Sequence, residues 1–288
     1  MHDLVHDFAL FLTKGEFREE VISKRDESMK MNSERTHRYL VVWIERVLCF
    51  PKSISDAEKL RSLHIFAYDR SKCGVTSGGN LRNLLNKARR LRALTIVCSD
   101  STIPEEIGNL LLLRYLGLHS NLHLKRLPRA IGRLHNLQFL HLSRCLNLER
   151  LPDEMGNLVN LMVLDTAACF SLTCYPKGVR RLTRLIQLSG LIVRVDQNDP
   201  KEFSIGDLAN LKQLVVLSMK MVGNTINVEE SKKVKLLNLQ EVKILVNEAI
   251  AGADEDTILE SLNMSSVPRC CFDTDFNMFG RFSTPRNE

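Results

Sequence analysis

Two histidines and two aspartates near the N-terminus have the spacing of a metal site on one face of a helix. His2 and His6 are four residues apart, as are Asp3 and Asp7, so each pair falls on the same side of successive helical turns. The helical zinc motif of metalloproteases needs a glutamate directly after its first histidine, and Asp3 occupies that position. We therefore expect no metal site, and we interpret these residues as the polar face of an amphipathic helix over residues 1–12.

The other residues that could do chemistry do not form the pattern of an enzyme. The sequence has 8 cysteines, and only Cys145 and Cys169 are regularly placed, so we expect reduced thiols rather than a disulfide framework. It contains no nucleophile elbow, paired-cysteine zinc motif, glycine-rich dinucleotide motif or G-x-x-x-x-G-K-[ST] phosphate loop. We expect a protein without catalytic activity.

Composition excludes further classes. A hydrophobic content of 44% argues against general disorder, and the net charge of +6 arises from basic residues scattered among acidic ones. With no basic stripe in the sequence, we expect no nucleic-acid partner. No apolar run approaches the roughly 18 residues of a membrane-spanning helix, and the N-terminus lacks a charged-then-apolar signal pattern. We therefore expect a cytoplasmic protein with no membrane span.

The dominant feature of the sequence is an apolar pattern that recurs every 24 residues. The prolines that mark it are Pro104, Pro128, Pro152 and Pro176. The unit reads L-x-x-L-x-L-x-x-[NC]-x-x-L-x-x-L-P-x-x-I-G-x-L, and Thr166 and Gly190 interrupt it where a leucine is expected. This period and spacing are typical of a leucine-rich repeat.

Each repeat should contribute one short strand. Alternating leucines such as Leu116 and Leu118 predict a strand, and a lone repeat buries too little apolar surface to offset the ordering of its backbone, so neighbours must stack in parallel. The position occupied by Asn121, Cys145 and Cys169 should hydrogen bond to the backbone of the turn that leaves the strand. We predict an α/β solenoid, a leucine-rich-repeat horseshoe with a parallel β-sheet on its concave face and short helices or turns opposite.

Outside the regular repeats the signals are weaker. We expect strands at residues 38–42, 60–65, 91–96 and 217–221, and a short helix at 81–90. Residues 14–35 are polar and charged, which predicts a mobile connector, and residues 265–288 show no repeat and receive no assigned structure.

The opening segment resembles a known family. Met1-His2-Asp3-Leu4-Val5-His6-Asp7 is similar to the MHD motif that closes the nucleotide-binding domain of plant nucleotide-binding leucine-rich-repeat disease-resistance proteins, especially the coiled-coil class. The resemblance implies that residues 1–12 form a short helix left from a winged-helix subdomain, in which His2 approaches the phosphates of bound ADP and Asp3 supports it. Because the phosphate loop is absent, we expect no cofactor for this chain, and ADP or ATP only where an upstream nucleotide-binding domain is present.

The same resemblance divides the chain into a winged-helix remnant and linker (1–36), a leucine-rich-repeat domain (37–262) and an irregular tail (263–288). It implies that the repeats recognise a pathogen effector or a guarded host protein and regulate the receptor's own N-terminal domains. Three alternatives stay open. One is a general intracellular scaffold of the Ras-associated leucine-rich class, which shares L-P-x-x-I-G-x-L but lacks the opening motif; the others are a secreted ectodomain and a truncated fragment without function.

Strand residues that point away from the leucine core should form the partner-binding surface. The candidate residues are Tyr115, His119, Phe139, His141, Val163 and Asp165. Tyr115, Phe139 and Val163 lie 24 residues apart and predict an exposed apolar ladder, which could bind a protein partner, pack against an N-terminal domain, or shield itself. His141 and Asp165 should be neighbours across strands, either as a pH-sensitive pair or as a solvated pair of little energetic weight.

Overall fold

One β-sheet runs through the part of the chain that the structure describes. The computed structural model describes residues 17–22, 38–44, 57–67, 79–98, 102–194, 199–223, 231, 234–246, 262 and 267–273. Its strands pair in sequence order into a single open sheet, and every pairing is parallel. The strands are β1 (Phe17–Ile22), β2 (Tyr39–Ile44), β3 (Ser62–Ala67), β4 (Ala93–Val97), β5 (Tyr115–Gly117), β6 (Phe139–His141), β7 (Val163–Asp165), β8 (Gln187–Arg194), β9 (Val216–Val222), β10 (Glu241–Val246) and β11 (Arg269–Asp273). The predicted solenoid with a parallel sheet is confirmed.

Short helices carry the chain from one strand to the next. They are the α-helix α1 (Gly79–Lys87) and the 3-10 helices η1 (Ala57–Lys59), η2 (Glu105–Asn109), η3 (Arg129–Arg133), η4 (Asp153–Asn157), η5 (Lys177–Arg181) and η6 (Ile205–Asn210). Helices η2 to η5 each begin directly after a repeat proline, whose φ of −67° to −75° holds the entry to the helix extended. The short helices expected opposite the sheet are confirmed.

The repeat leucines form one continuous core between the sheet and the 3-10 helices. Leu116, Leu140 and Leu164 at the centres of β5, β6 and β7 lie in register and are 0% exposed. Burying such a side chain stabilises the fold by about 1.5–3 kcal/mol, and here each leucine is covered by the repeats on either side. Stability is therefore shared between neighbouring repeats.

Most of the expected elements outside the regular repeats are present. The strands expected at 38–42, 60–65, 91–96 and 217–221 correspond to β2, β3, β4 and β9, and the helix expected at 81–90 corresponds to α1. Within the described ranges, no helix combines the length and the apolar character that crossing a bilayer requires.

Two strands lie where the sequence indicated none. The interpretation of residues 14–35 as a mobile connector is wrong over β1, and β11 lies within the tail that received no structure. Each of these strands pairs with a single neighbour in the described sheet, and an end strand needs less of the apolar pattern of an internal strand. The helix expected over residues 1–12 and the rest of residues 274–288 lie outside the described residues, and the domain boundaries stay predictions.

Candidate functional site

A buried asparagine holds the strand ends in place beneath the candidate surface. Asn121 is 0% exposed, and its side chain makes three hydrogen bonds to backbone groups. Its Nδ2 donates to the carbonyl oxygens of Ile96 at 2.8 Å and Leu118 at 2.7 Å, and its Oδ1 accepts from the N–H of Cys98 at 2.7 Å. Two of these groups belong to the preceding repeat, so Asn121 joins consecutive repeats as its position predicted.

Two cysteines continue this ladder in the next repeats. The Sγ of Cys145 donates to the carbonyl of Leu118 at 3.0 Å, and the Sγ of Cys169 donates to the carbonyl of Leu142 at 3.1 Å. The neighbouring Cys145 thiol, together with burial, raises the pKa of Cys169, which keeps this thiol protonated and able to donate. The expectation that this position bonds the turn after the strand is confirmed.

Above this ladder, three apolar residues form what we call the aromatic row: Tyr115, Phe139 and Val163. They are Cα partners across β5, β6 and β7, and all three are half-buried. The rings of Tyr115 and Phe139 are 6.4 Å apart between centroids and tilted by 37°, within the range of favourable aromatic pairs. The row is thus less exposed than the predicted ladder, because its members cover one another.

Gly117 makes room for the Tyr115 ring. A Cβ at this position would lie 3.1 Å from Tyr115 Cε1 and 3.2 Å from the Tyr115 hydroxyl oxygen. The ring therefore lies over its own strand toward Thr95, whose side chain hydrogen bonds to the Tyr115 hydroxyl. Burial raises the pKa of Tyr115 and the Thr95 hydrogen bond opposes that shift, so the phenol is a neutral group at physiological pH.

The Tyr115 hydroxyl ends a line of hydrogen-bonded side chains that we call the polar row: Ser62, His64 and Thr95. Ser62 Oγ lies 2.7 Å from His64 Nε2, and His64 Nδ1 lies 2.8 Å from Thr95 Oγ1. The row crosses β3 and β4 at the register that His141 and Asp165 occupy further on. Sequence analysis did not find it, because the repeats that hold His64 and Thr95 are irregular in length and gave no common frame.

The polar row makes stability depend on pH. Burial lowers the pKa of His64 below its ordinary value of 6.5, so the folded chain binds fewer protons here than the unfolded chain does in the window below 6.5. We expect the free energy of unfolding to fall as the pH drops from 7.5 to 5.5, and we expect His64→Gln to remove part of that dependence. Urea denaturation of both proteins across this range measures it, and identical pH dependence in the two would contradict the assignment.

His141 and Asp165 meet at the predicted position. Tyr115 and His141 have ring centroids 5.4 Å apart, and His141 Nδ1 lies 3.7 Å from Asp165 Oδ2, which is longer than a direct hydrogen bond. Burial alone would raise the pKa of Asp165, but attraction by His141 and hydrogen bonds from the Ala167 N–H and the Ser143 side chain hold it below its ordinary value. Asp165 thus places a negative charge beside the aromatic row.

The structure brings five of the predicted site residues together and sets one apart. Tyr115, Phe139, Val163, His141 and Asp165 form one cluster on the sheet. His119 is half-buried in the turn beyond the end of β5. His2 and Asp3 lie outside the described residues. Within the described ranges, no group of three or more His, Cys, Asp or Glu side chains could hold a metal ion.

Two solved structures resemble this fold. Internalin C2 of Listeria monocytogenes is 20% identical, with a TM-score of 0.50, over 76% of this chain and 83% of its own. The Arabidopsis receptor kinase HAESA, solved in complex with the peptide hormone IDA and the co-receptor SERK1, is 19% identical with a TM-score of 0.52 over 74% of this chain. This chain spans 35% of the HAESA chain. At these identities the likeness concerns the fold alone.

Comparison with protein families is more specific. No curated protein matches the sequence, and the comparisons indicate no enzyme family. The model of the leucine-rich repeat region matches residues 59–282, which is most of the chain and covers the strands β3 to β11. The protein belongs to the leucine-rich-repeat family.

Proposed function

We propose that the concave face binds a protein partner, with the aromatic row as its anchor. The observation that carries this proposal is the Tyr115–Phe139 ring pair, half-buried at the centre of the face with Asp165 and His141 at its side. Aromatic side chains already held by their neighbours lose little conformational entropy on binding, and such residues dominate the energy of protein interfaces. The peptide and co-receptor bound by HAESA support a role in recognition.

We further propose that this partner is a pathogen effector or a guarded host protein, and that the chain is the sensor part of a plant disease-resistance protein. Support comes from the opening Met1–Asp7 segment, which is similar to the MHD motif. In this proposal His2 and Asp3 act on ADP only beside an upstream nucleotide-binding domain, and the division at residues 36 and 262 separates remnant, repeats and tail. The protein acts in the cytoplasm, and the repeats also contact the receptor's own N-terminal domains.

Replacing both Tyr115 and Phe139 by Ala is expected to abolish co-purification of the partner from plant extract. Loss of two anchors at the centre of an interface weakens binding by about 2 kcal/mol or more for each. Because the rings are only half-buried, the thermal unfolding transition should move little. Pull-down and a thermal melt of the same preparation measure the two effects.

A matched control removes apolar area from elsewhere on the surface. Leu111 and Val159 are 55% and 49% exposed and follow the 3-10 helices η2 and η4. The Leu111→Ala and Val159→Ala double variant should keep the partner. Equal loss in both variants, or unfolding of the Tyr115 and Phe139 variant, would contradict the proposed binding surface. If no partner is captured by the natural chain, the scaffold and non-functional alternatives gain support.

A further inference from the structure

Four arginines stand at the same register position in consecutive repeats. Each directly precedes a strand, from β2 to β5, and we call them the arginine row: Arg38, Arg61, Arg92 and Arg114. Their backbones form a hydrogen-bonded ladder, in which the N–H of Arg61 donates to the Arg38 carbonyl at 2.8 Å, that of Arg92 to Arg61 at 2.7 Å and that of Arg114 to Arg92 at 2.8 Å. Neighbouring arginines are therefore separated by the spacing of strands, about 4.8 Å.

The row is a local concentration of positive charge. The ladder continues beyond Arg114 through Gln138 and Met162, which are uncharged. Arg92 and Arg114 are exposed and Arg61 is half-buried. Among the described residues, no carboxylate lies within 4.0 Å of the guanidinium groups of these three. Like charges held this close repel one another, so an anion that binds them would relieve the repulsion.

The expectation that the chain has no basic stripe is therefore wrong at this edge. The four arginines are unevenly spaced in the sequence because the repeats between them differ in length, and only the strand register aligns them. The row also adjoins the aromatic row, because Arg114 directly precedes Tyr115. A single partner could contact both surfaces at once.

We propose that the arginine row binds an acidic helix of the protein partner; this inference rests on the proposed function only in taking the partner to be a protein. Carboxylates three and four residues apart on a helix have Cβ atoms about 5–6 Å apart, close to the strand spacing that sets the arginine row. Each guanidinium can hold one carboxylate through two parallel N–H donors. The apolar residues of that helix then lie toward Tyr115 and Phe139.

The test uses defined probes with the full chain. The first is a labelled Ala-rich helical peptide with four Glu residues on one face, the second is the same peptide with Gln in their place, and the third is a single-stranded oligothymidylate of equal charge. Fluorescence anisotropy at low and high salt measures each affinity. The natural chain should bind the Glu peptide more tightly than the other two, and added salt should weaken that binding.

Two triple variants with the same charge change locate the site. Replacing Arg61, Arg92 and Arg114 by Ala should weaken binding of the Glu peptide by about ten- to hundredfold. The control replaces Arg129, Arg133 and Arg181, which are exposed on the 3-10 helices opposite the sheet, and should bind as the natural chain does. Circular dichroism shows whether both variants remain folded.

Several outcomes would overturn the inference. They are equal weakening by the two triple variants, tighter binding of oligothymidylate than of the Glu peptide, or equal binding of the Glu and Gln peptides. The Tyr115 and Phe139 double variant should still bind the Glu peptide through the arginines. Loss of the natural partner by that variant therefore tests the proposed function, and loss of the Glu peptide by the arginine variant tests this inference.

Discussion

Replacing Asn121 by Ala is expected to lower the free energy of unfolding by about 2–5 kcal/mol. The substitution removes the partners of the Cys98 N–H and the Ile96 carbonyl, both of which belong to buried residues. Each buried backbone group left without a partner costs about 1–3 kcal/mol. The Leu118 carbonyl is affected less, because Cys145 Sγ also donates to it. Urea denaturation at constant pH measures the change.

The comparison with Cys145→Ala makes this prediction specific to hydrogen bonding. Cys145 occupies the equivalent position one repeat later and makes a single hydrogen bond through a weak donor, so its loss should cost clearly less, about 1–2 kcal/mol. Asn121→Cys should recover only part of the lost stability, because a thiol cannot accept and donate as the amide does. An Asn121→Ala variant no less stable than Cys145→Ala would contradict the role assigned to the amide.

The regular part of the fold could be predicted because identical needs recur at identical spacing. Each strand leucine, each repeat proline and the position of Asn121 solve one packing or hydrogen-bonding problem, and four copies of the solution make it visible in the sequence. Strand β1, in contrast, has no repeat around it to set a frame. Its Arg18, Glu19 and Glu20 look like a solvated connector in the sequence, and only pairing with β2 shows them to belong to a strand.

The candidate surface could be predicted only in part, for the same reason. Tyr115, Phe139, His141 and Asp165 lie in regular repeats, and a period of 24 residues places them side by side. The link from His64 to Thr95 joins repeats of unequal length, so no fixed interval relates them. What the sequence hides is therefore the contacts between irregular neighbours, and both the polar row and the arginine row are made of such contacts.

Gly190 marks the point where the regular repeats end. Strand β8 has a register shift between Ser189 and Leu191 against β9, so one extra residue stands in the ladder as in a β-bulge. The shift moves the core side of the strand by one residue, because Leu188 is buried before it and Leu191 and Val193 are buried after it. The interruption of the leucine pattern at Gly190 is therefore a change of register within a longer strand.

The Gly190 backbone packs against the preceding repeat. Its carbonyl accepts hydrogen bonds from Thr166 Oγ1 at 3.2 Å and from the Tyr175 hydroxyl at 3.3 Å, and the side chains of Thr166 and Tyr175 also hydrogen bond to each other. Tyr175 is 0% exposed, and burial raises its pKa, so the hydroxyl stays a donor. Thr166, which also interrupts the leucine pattern, thus provides a partner for the bulge in the next strand.

Replacing Gly190 by Ala is expected to destabilise the fold by about 2–5 kcal/mol, combining the cost of a left-handed conformation with that of overpacking. The residue has a φ of +80°, and an added Cβ would lie 2.6 Å from both the carbonyl carbon and the carbonyl oxygen of Thr166. Backbone atoms cannot move away as a flexible side chain can, so the bulge itself must shift and weaken its bonds to Thr166 and Tyr175. A chemical denaturation curve measures the loss.

The left-handed conformation alone does not account for an effect of this size. Ser120, Arg144 and Ala168 have φ of 60°, 61° and 58° at one equivalent position in three repeats, and none of them is glycine. Ala168→Gly is therefore the matched control, and we expect it to change stability by no more than about 1 kcal/mol. If Gly190→Ala were equally mild, the close approach to Thr166 would not be what requires glycine. A large loss at Gly190 alone would identify steric contact between repeats, rather than backbone strain, as the reason that the leucine pattern breaks there.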